Sequence, residues 1–192
     1  MKIGQRLYVK NRTQWRAWLA KNHQSAPEIW LVYFKKASGK PRIPYNDAVE
    51  EALCYGWIDS ILKPIDEHSF AQRFSPRRKT SPLSPMNNER IRRLIKAKRM
   101  TRCGLASIKH HMNGDESNQS EKLVEFELPQ DILKILRRNT IVWKNFRRFP
   151  KSYQRIRVGW IDGARKRPDE LKKRLRYFIK MTAQNKKFGM VQ

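Results

Sequence analysis

Three prolines that stand within ten residues set the strongest limit on the fold of this chain. They are Pro76, Pro82 and Pro85, in the segment Ser-Pro-Arg-Arg-Lys-Thr-Ser-Pro-Leu-Ser-Pro that spans residues 75–85. Because proline fixes φ and has no backbone N–H, neither a helix interior nor a central strand can pass through this segment. The sequence therefore predicts a stiff loop here, followed by a helix with Ser84 as its N-cap and Pro85 as its first residue.

The residues before this loop show the patterns of both strands and helices. Residues 29–34, Ile-Trp-Leu-Val-Tyr-Phe, are apolar on both faces, as in a central strand. An amphipathic helix is predicted from Tyr45 to Gly56, and a hairpin with arms near 57–63 and 69–75 follows it. We therefore expect an α+β fold, with a small, mainly antiparallel sheet flanked by helices. The residues expected to be buried together are Trp30, Val32, Phe34, Leu53, Trp57, Phe70 and Ile91.

Charge divides the chain into three parts. Lys and Arg number 43 and Asp and Glu 17 among 192 residues, a formal net charge of +26. Residues 104–131 are acidic, whereas residues 132–192 carry nineteen Lys and Arg against three acids, with apolar positions at helical spacings. The domains predicted from this pattern are an α+β core over residues 1–113, an acidic linker over 114–128 and a basic helical part over 129–192.

Such an excess of positive charge favours polyanions as partners. On the last predicted helix, Lys173, Arg176 and Lys180 share one face, because residues three and four apart are neighbours on a helix. Such a row of charges can contact the phosphates of a nucleic acid but does not distinguish the edges of the bases, so we expect non-specific binding of nucleic acid. The alternative is that these side chains only form a solvated surface.

The proline-rich loop is a second candidate for anion binding. Adjacent cations, hydroxyl groups and the start of a helix can together hold a phosphate or a carboxylate. In the alternative interpretation, Arg77 and Arg78 brace the loop against Asp59, Asp66 or Glu67, and Ser84 only caps the helix. The candidate anion-binding residues are Arg77, Arg78, Lys79, Ser81, Ser84, Asn87 and Asp59.

No residue can be assigned a catalytic role from the sequence. His68 falls in a predicted turn, and the neighbours His110 and His111 lack the further ligands that a metal site needs. We therefore expect neither a metal nor a cofactor. Cys54 and Cys103 are expected to be reduced core thiols without metal-binding spacing. The chain shows no secretory h-region and no stretch that could span a bilayer, which predicts a cytoplasmic protein.

Several motifs also resemble those of a known family. The run Ala-Leu-Cys-Tyr-Gly-Trp-Ile-Asp at 52–59, the run Phe-Ser-Pro-Arg-Arg-Lys at 74–79, and Ser81, Ser84 and Asn87 are similar to the YdeI/OmpD-associated family, also called the bacteriocin-protection family. The resemblance extends from Trp15 to about Lys180. It implies a link to survival of bacteriocins or antimicrobial peptides, and it implies no established chemistry.

Two hypotheses of function follow, with a plain protein-interaction module as a third. The first is a non-enzymatic cytoplasmic protein of this family type, active in stress or antimicrobial-peptide tolerance, that binds an anionic small molecule or, non-specifically, nucleic acid. The alternative is an enzyme that acts on a phosphate- or carboxylate-bearing small substrate at the loop of Asp59, Arg77 and Ser84. The sequence leaves the oligomeric state open.

Overall fold

The chain forms two compact units. The computed structural model describes residues 2–78, 81–113, 122–123 and 127–189. The first unit comprises Met1–Pro82 and Arg90–Lys122, and the second comprises Leu83–Glu89 and Leu123–Gln192. The chain crosses the boundary between them three times, once inside a helix.

The first unit is built on a four-stranded sheet. Its strands are β1 (Arg6–Leu7), β2 (Ile29–Phe34), β3 (Trp57–Pro64) and β4 (Ser69–Pro76). The order across the sheet is β1-β2-β4-β3, in which only the β1–β2 pair is parallel. The expected α+β class and the mainly antiparallel sheet are therefore confirmed. The register of β3 against β4 shifts between Asp59 and Leu62, where the hairpin has a bulge or irregularity.

Helices of the first unit begin and end where local chemistry allows. They are α1 (Arg12–Asn22), α2 (Tyr45–Cys54), α3 (Pro85–Lys96), whose first five residues belong to the second unit, and α4 (Arg102–Ile108). The N-cap of α1 is Asn11, whose side chain accepts from the Gln14 N–H. The chain leaves α2 through Gly56, whose φ of +77° suits a residue without a Cβ.

The core of the first unit lies mainly between α1, α2 and the sheet. Four of the seven residues predicted to form it are fully buried, namely Trp30, Leu53, Trp57 and Ile91. Val32, Phe34 and Phe70 are only half-buried, which corrects that part of the prediction. Phe34 is covered by the edge of the Tyr8 ring and by the ammonium group of Lys40. The apolar sequence alone did not reveal that Phe34 is covered by a tyrosine and a lysine side chain.

A buried carboxylate also lies in the first unit. Glu51 of α2 is fully buried and forms ion pairs with three arginines. Its Oε2 is 2.7 Å from Nη1 of Arg16, and its Oε1 accepts from Arg99 and lies 3.4 Å from Nε of Arg12. A charge removed from water needs such compensation, so these contacts tie α1 and the segment after α3 to α2.

Helix α4 approaches the end of α2 very closely. Thr101 caps α4 by accepting from the Gly104 N–H, and its hydroxyl donates to the Cys54 carbonyl at 2.6 Å. A Cβ at Gly104 would lie 2.2 Å from that same carbonyl oxygen. Only a residue without a side chain therefore permits this packing.

Among its described residues, the regular structure of the second unit is helical except for Leu123, which belongs to a two-residue strand. Residues 112–113 (β5) and 122–123 (β6) form a two-stranded sheet, and the residues between them, like 124–126, lie outside the described residues. The linker predicted over 114–128 thus falls mostly there and stays a prediction. The four helices that lie wholly in this unit are α5 (Gln130–Arg137), α6 (Thr140–Arg148), α7 (Lys151–Asp162) and α8 (Pro168–Ala183).

Aromatic and aliphatic side chains of all four helices form the core of the second unit, with Leu136, Phe146, Val158 and Phe178 at its centre. Beyond α8 the chain folds back, and the ring of Phe188 contacts the rings of Trp160, Tyr177 and Phe178. The carbonyl of Phe188 accepts from Arg157 and its N–H donates to the Tyr153 hydroxyl at 3.2 Å. Within the described part of the chain, no helix has the length and apolar character needed to cross a membrane.

Candidate anion-binding sites

Arg77 is the most unusual cation of the proline-rich loop. Its N–H donates to the Gly56 carbonyl at 2.9 Å, which fixes the exit from β4. Its guanidinium donates to the Ser81 carbonyl and lies 3.4 Å from Nε2 of His111. Among the described residues it has no acidic partner, and its Nε is buried without a hydrogen bond. Burial lowers the pKa of Arg77, because no carboxylate offsets the loss of water.

His111 shares this environment. Burial lowers its pKa, the hydrogen bond with the Ser81 backbone acts in the opposite direction, and the neighbouring His110 and Arg77 lower it further. An anion placed beside the Arg77 guanidinium would favour the charged forms of both side chains. The arrangement can therefore hold a small anion beside the guanidinium and the imidazole, which contact each other.

The other residues of the predicted loop site have different surroundings. Arg78 is exposed, and Ser81 is half-buried and contributes its carbonyl to Arg77. The Ser84 hydroxyl accepts from the Asn87 N–H at 3.2 Å, as an N-cap does, and Asn87 is buried. Ser84 and Asn87 belong to the second unit. Lys79, also proposed for this site, lies outside the described residues.

Asp59 does not have the partner, Arg77 or Arg78, that the bracing interpretation of the loop expected. Its Oδ2 accepts from the Tyr45 hydroxyl at 2.7 Å. Burial and then this bond raise the pKa of Tyr45 to about 12. Asp66 accepts from the His68 N–H and the Ser69 hydroxyl. Among the described residues, neither Arg77 nor Arg78 pairs with an acid, so the carboxylates of Asp59, Asp66 and Glu67 do not brace the loop.

Sequence reasoning missed the polar residues that surround Asp59. The Tyr33 hydroxyl is buried without a hydrogen bond in the described structure, and burial, followed by the nearby Tyr45, raises its pKa. The guanidinium of Arg42 lies 5.8 Å from the centre of the Tyr33 ring. Arg90, which is 6% exposed, donates to the Asn46 side chain at 2.6 Å. Tyr33 stands inside the apolar run 29–34, where nothing distinguished it from a core residue.

The predicted nucleic-acid contacts lie on α8 of the second unit. Lys173, Arg176 and Lys180 are all exposed, and none forms an ion pair among the described residues. The acids of this unit that form ion pairs do so with other arginines: Glu170 with Arg174, Asp131 and Asp162 with Arg165, and Glu89 with Arg155. We call Lys173, Arg176 and Lys180 the α8 ridge.

No group of three or more His, Cys, Asp or Glu side chains suited to a metal ion occurs among the described residues.

Comparison with protein families gave two matches. Residues 7–107, slightly more than half of the chain, match a family described as a domain of unknown function, DUF8412. Residues 125–185 match the family described as bacteriocin-protection, YdeI or OmpD-associated.

The second match confirms the resemblance stated from the sequence, although it covers the helical C-terminal part of the chain. The motifs at 52–59 and 74–87 that suggested this resemblance lie within the stretch matched by the first family. No curated protein and no solved structure matches the chain. The chain thus belongs to the DUF8412 family, and its residues 125–185 carry a partial match to the bacteriocin-protection, YdeI or OmpD-associated family.

Proposed function

We propose that this protein is a non-enzymatic cytoplasmic protein that binds nucleic acid through the α8 ridge and acts in tolerance of stress or antimicrobial peptides. The observation that carries the binding proposal is the exposure of three cations on one helix face, none of which forms an ion pair within the described chain. The link to tolerance rests on the description of the family that residues 125–185 match.

The geometry of the ridge suits a phosphate backbone. Lys173 and Lys180 are seven positions apart, so the ridge extends about 10 Å at 1.5 Å per residue. Duplex DNA presents roughly one charge per 1.7 Å of its axis, so a row of this length meets several phosphates. Binding releases condensed counterions and needs no particular base sequence. The ring of Tyr177, 45% exposed beside the ridge, adds a surface on which an unpaired base can stack.

The test is fluorescence anisotropy with two unrelated single-stranded oligonucleotides at several salt concentrations. We expect Kd values on the order of 10⁻⁴–10⁻⁶ M at physiological salt, alike for both sequences. The double substitution Lys173→Glu and Arg176→Glu should weaken both equally. It should also reduce the slope of log K against log salt by about 1.4, since each lost contact with a single strand removes about 0.7.

The matched control is the double substitution Lys35→Glu and Lys36→Glu in the first unit. Both side chains are exposed, and the change in net charge is the same. Equal weakening by the two double variants would show that total charge, and not the ridge, governs binding. Tight binding of one sequence only, or no binding at low salt, would contradict the proposal directly.

A second candidate function is binding of a phosphate- or carboxylate-bearing small molecule at Arg77, either as a ligand or as the substrate of an enzyme. The observation that favours it is the partly desolvated guanidinium of Arg77, which has no acidic partner in the described structure and lies beside His111. A thermal-shift screen with inorganic phosphate, nucleotides and phosphorylated metabolites tests it. Stabilisation should be lost in Arg77→Gln and retained in Arg78→Gln, whose side chain is exposed in the same loop.

A further inference from the structure

Cys103 and His23 lie side by side in the first unit, although they are 80 positions apart in the sequence. Nε2 of His23 is 3.2 Å from Sγ of Cys103, and Nδ1 is 2.9 Å from the Leu19 carbonyl oxygen. A carbonyl oxygen can only accept a hydrogen bond, so Nδ1 carries a proton. In the neutral ring, Nε2 therefore presents its lone pair to the thiol. A nucleophile beside a base that a third group orients is the usual arrangement of an activated side chain.

Both members of the pair are held in place by their surroundings. His23 directly follows α1, and the Trp57 indole N–H donates to its carbonyl at 3.0 Å. Its ring packs against the ring of Tyr55, with centroids 5.1 Å apart. Cys103 lies in the first turn of α4, which the Thr101 cap and the close approach of Gly104 fix against α2. The short distance between sulfur and nitrogen thus follows from packed elements.

The two cysteines of the chain have opposite environments. Cys54 is fully buried, and burial raises the pKa of its thiol to about 11, which makes it a poor nucleophile. Cys103 is partly exposed, which corrects the expectation that both cysteines are core thiols. The side-chain amide of Gln24, itself exposed, lies 3.9 Å from the Cys103 sulfur and offers it a hydrogen-bond donor. A reagent in solution can therefore reach Cys103 together with its base.

We propose that Cys103 is a nucleophilic modification site. His23 activates its thiol, and hydroperoxides oxidise this thiol to a sulfenic acid. His23 Nε2 takes the thiol proton while Sγ attacks one oxygen of the peroxide. The S–O bond forms, the O–O bond breaks, and the leaving oxygen receives the proton from His23. The sulfur is oxidised and the hydroperoxide is reduced to an alcohol or to water. This chemistry is independent of the α8 ridge and goes beyond binding of nucleic acid.

The first experiment uses the full chain with its native sequence. Iodoacetamide is added at pH 7, and mass spectrometry follows alkylation of Cys103 and Cys54 separately, in the folded protein and in denaturant. Cys103 should react at least tenfold faster in the folded chain than in denaturant, because base assistance of this kind contributes roughly 10²–10⁴ in enzymes. Cys54 should react more slowly when folded. With hydrogen peroxide and dimedone, the sulfenic acid adduct should appear on the Cys103 peptide.

The second experiment removes the base. His23→Gln should lower the alkylation and oxidation rates of Cys103 at least tenfold, whereas Gln24→Ala should change them less than threefold. The proposal is overturned if a folded His23→Gln protein reacts as fast as the parent. It is equally overturned if Cys103 of the native sequence reacts no faster folded than denatured, a result that needs no variant to fold.

Discussion

The buried carboxylate of Glu51 gives the sharpest prediction about stability. Glu51→Gln keeps the shape of the side chain and removes its charge, so the guanidiniums of Arg16 and Arg99 lose their buried counterion. Hydrogen bonds to charged groups contribute about 1.5–3 kcal/mol each, and two of them give about 3–6 kcal/mol. The amide keeps one acceptor oxygen and turns its N–H groups towards a cation. We therefore expect the free energy of unfolding to fall by about 3–5 kcal/mol, the usual cost of breaking a buried pair.

The assay is urea unfolding followed by tryptophan fluorescence, to which the buried Trp15, Trp30 and Trp57 of the first unit contribute. With slopes of about 1–3 kcal/mol per molar urea, the midpoint should shift by at least about 1 M. The matched control is Glu50→Gln, one position earlier on α2, whose side chain is 17% exposed and pairs with the partly exposed Arg12 and Arg93. It should cost at most about 1 kcal/mol. A Glu51→Gln variant as stable as the control would refute the assigned role of burial.

Two further predictions concern local packing and titration. Gly104→Ala should destabilise the protein by about 1–3 kcal/mol in the same assay, because its Cβ would meet the Cys54 carbonyl at 2.2 Å; an unchanged midpoint would contradict the close approach of α4 to α2. The pKa of His111, lowered by burial and by its cationic neighbours, should lie below about 6.5 in an NMR titration. Arg77→Gln should raise the pKa of His111, since a positive charge is removed. An unchanged pKa would contradict the contact between Arg77 and His111.

Periodicity predicted the local elements of this chain well. The apolar run 29–34 forms β2, the two predicted arms near 57–63 and 69–75 form the hairpin of β3 and β4, and Ser84 is an N-cap as expected. These features depend on the limits on φ, on the alternation of apolar residues and on helix capping. Each of these is visible in a short stretch of sequence. Strand β1 has only two residues, and no pattern that short predicts pairing.

The candidate sites were less predictable, because they depend on which distant residues meet. The tyrosine that donates to Asp59 and the histidine beside Cys103 are far from their partners in the sequence, and neither lies in a recognisable motif. Arg77 was identified by its place between prolines, yet its neighbour His111 comes from a segment 34 positions away. A single sequence shows composition and the spacing of apolar residues, whereas contacts between distant residues depend on how the chain packs.

The contact of Phe188 with the side chain of Arg157 affects the order in which the protein folds during synthesis. The side chain of Arg157 is buried, and its carbonyl partner and much of its aromatic cover are supplied by Phe188, 31 positions later. During synthesis, α7 and most of α8 emerge before that partner exists, so the guanidinium must stay hydrated until Phe188 arrives. On the ribosome, the second unit therefore cannot close its core before Phe188 has emerged, whereas the first unit, which ends at Lys122, emerges before that point.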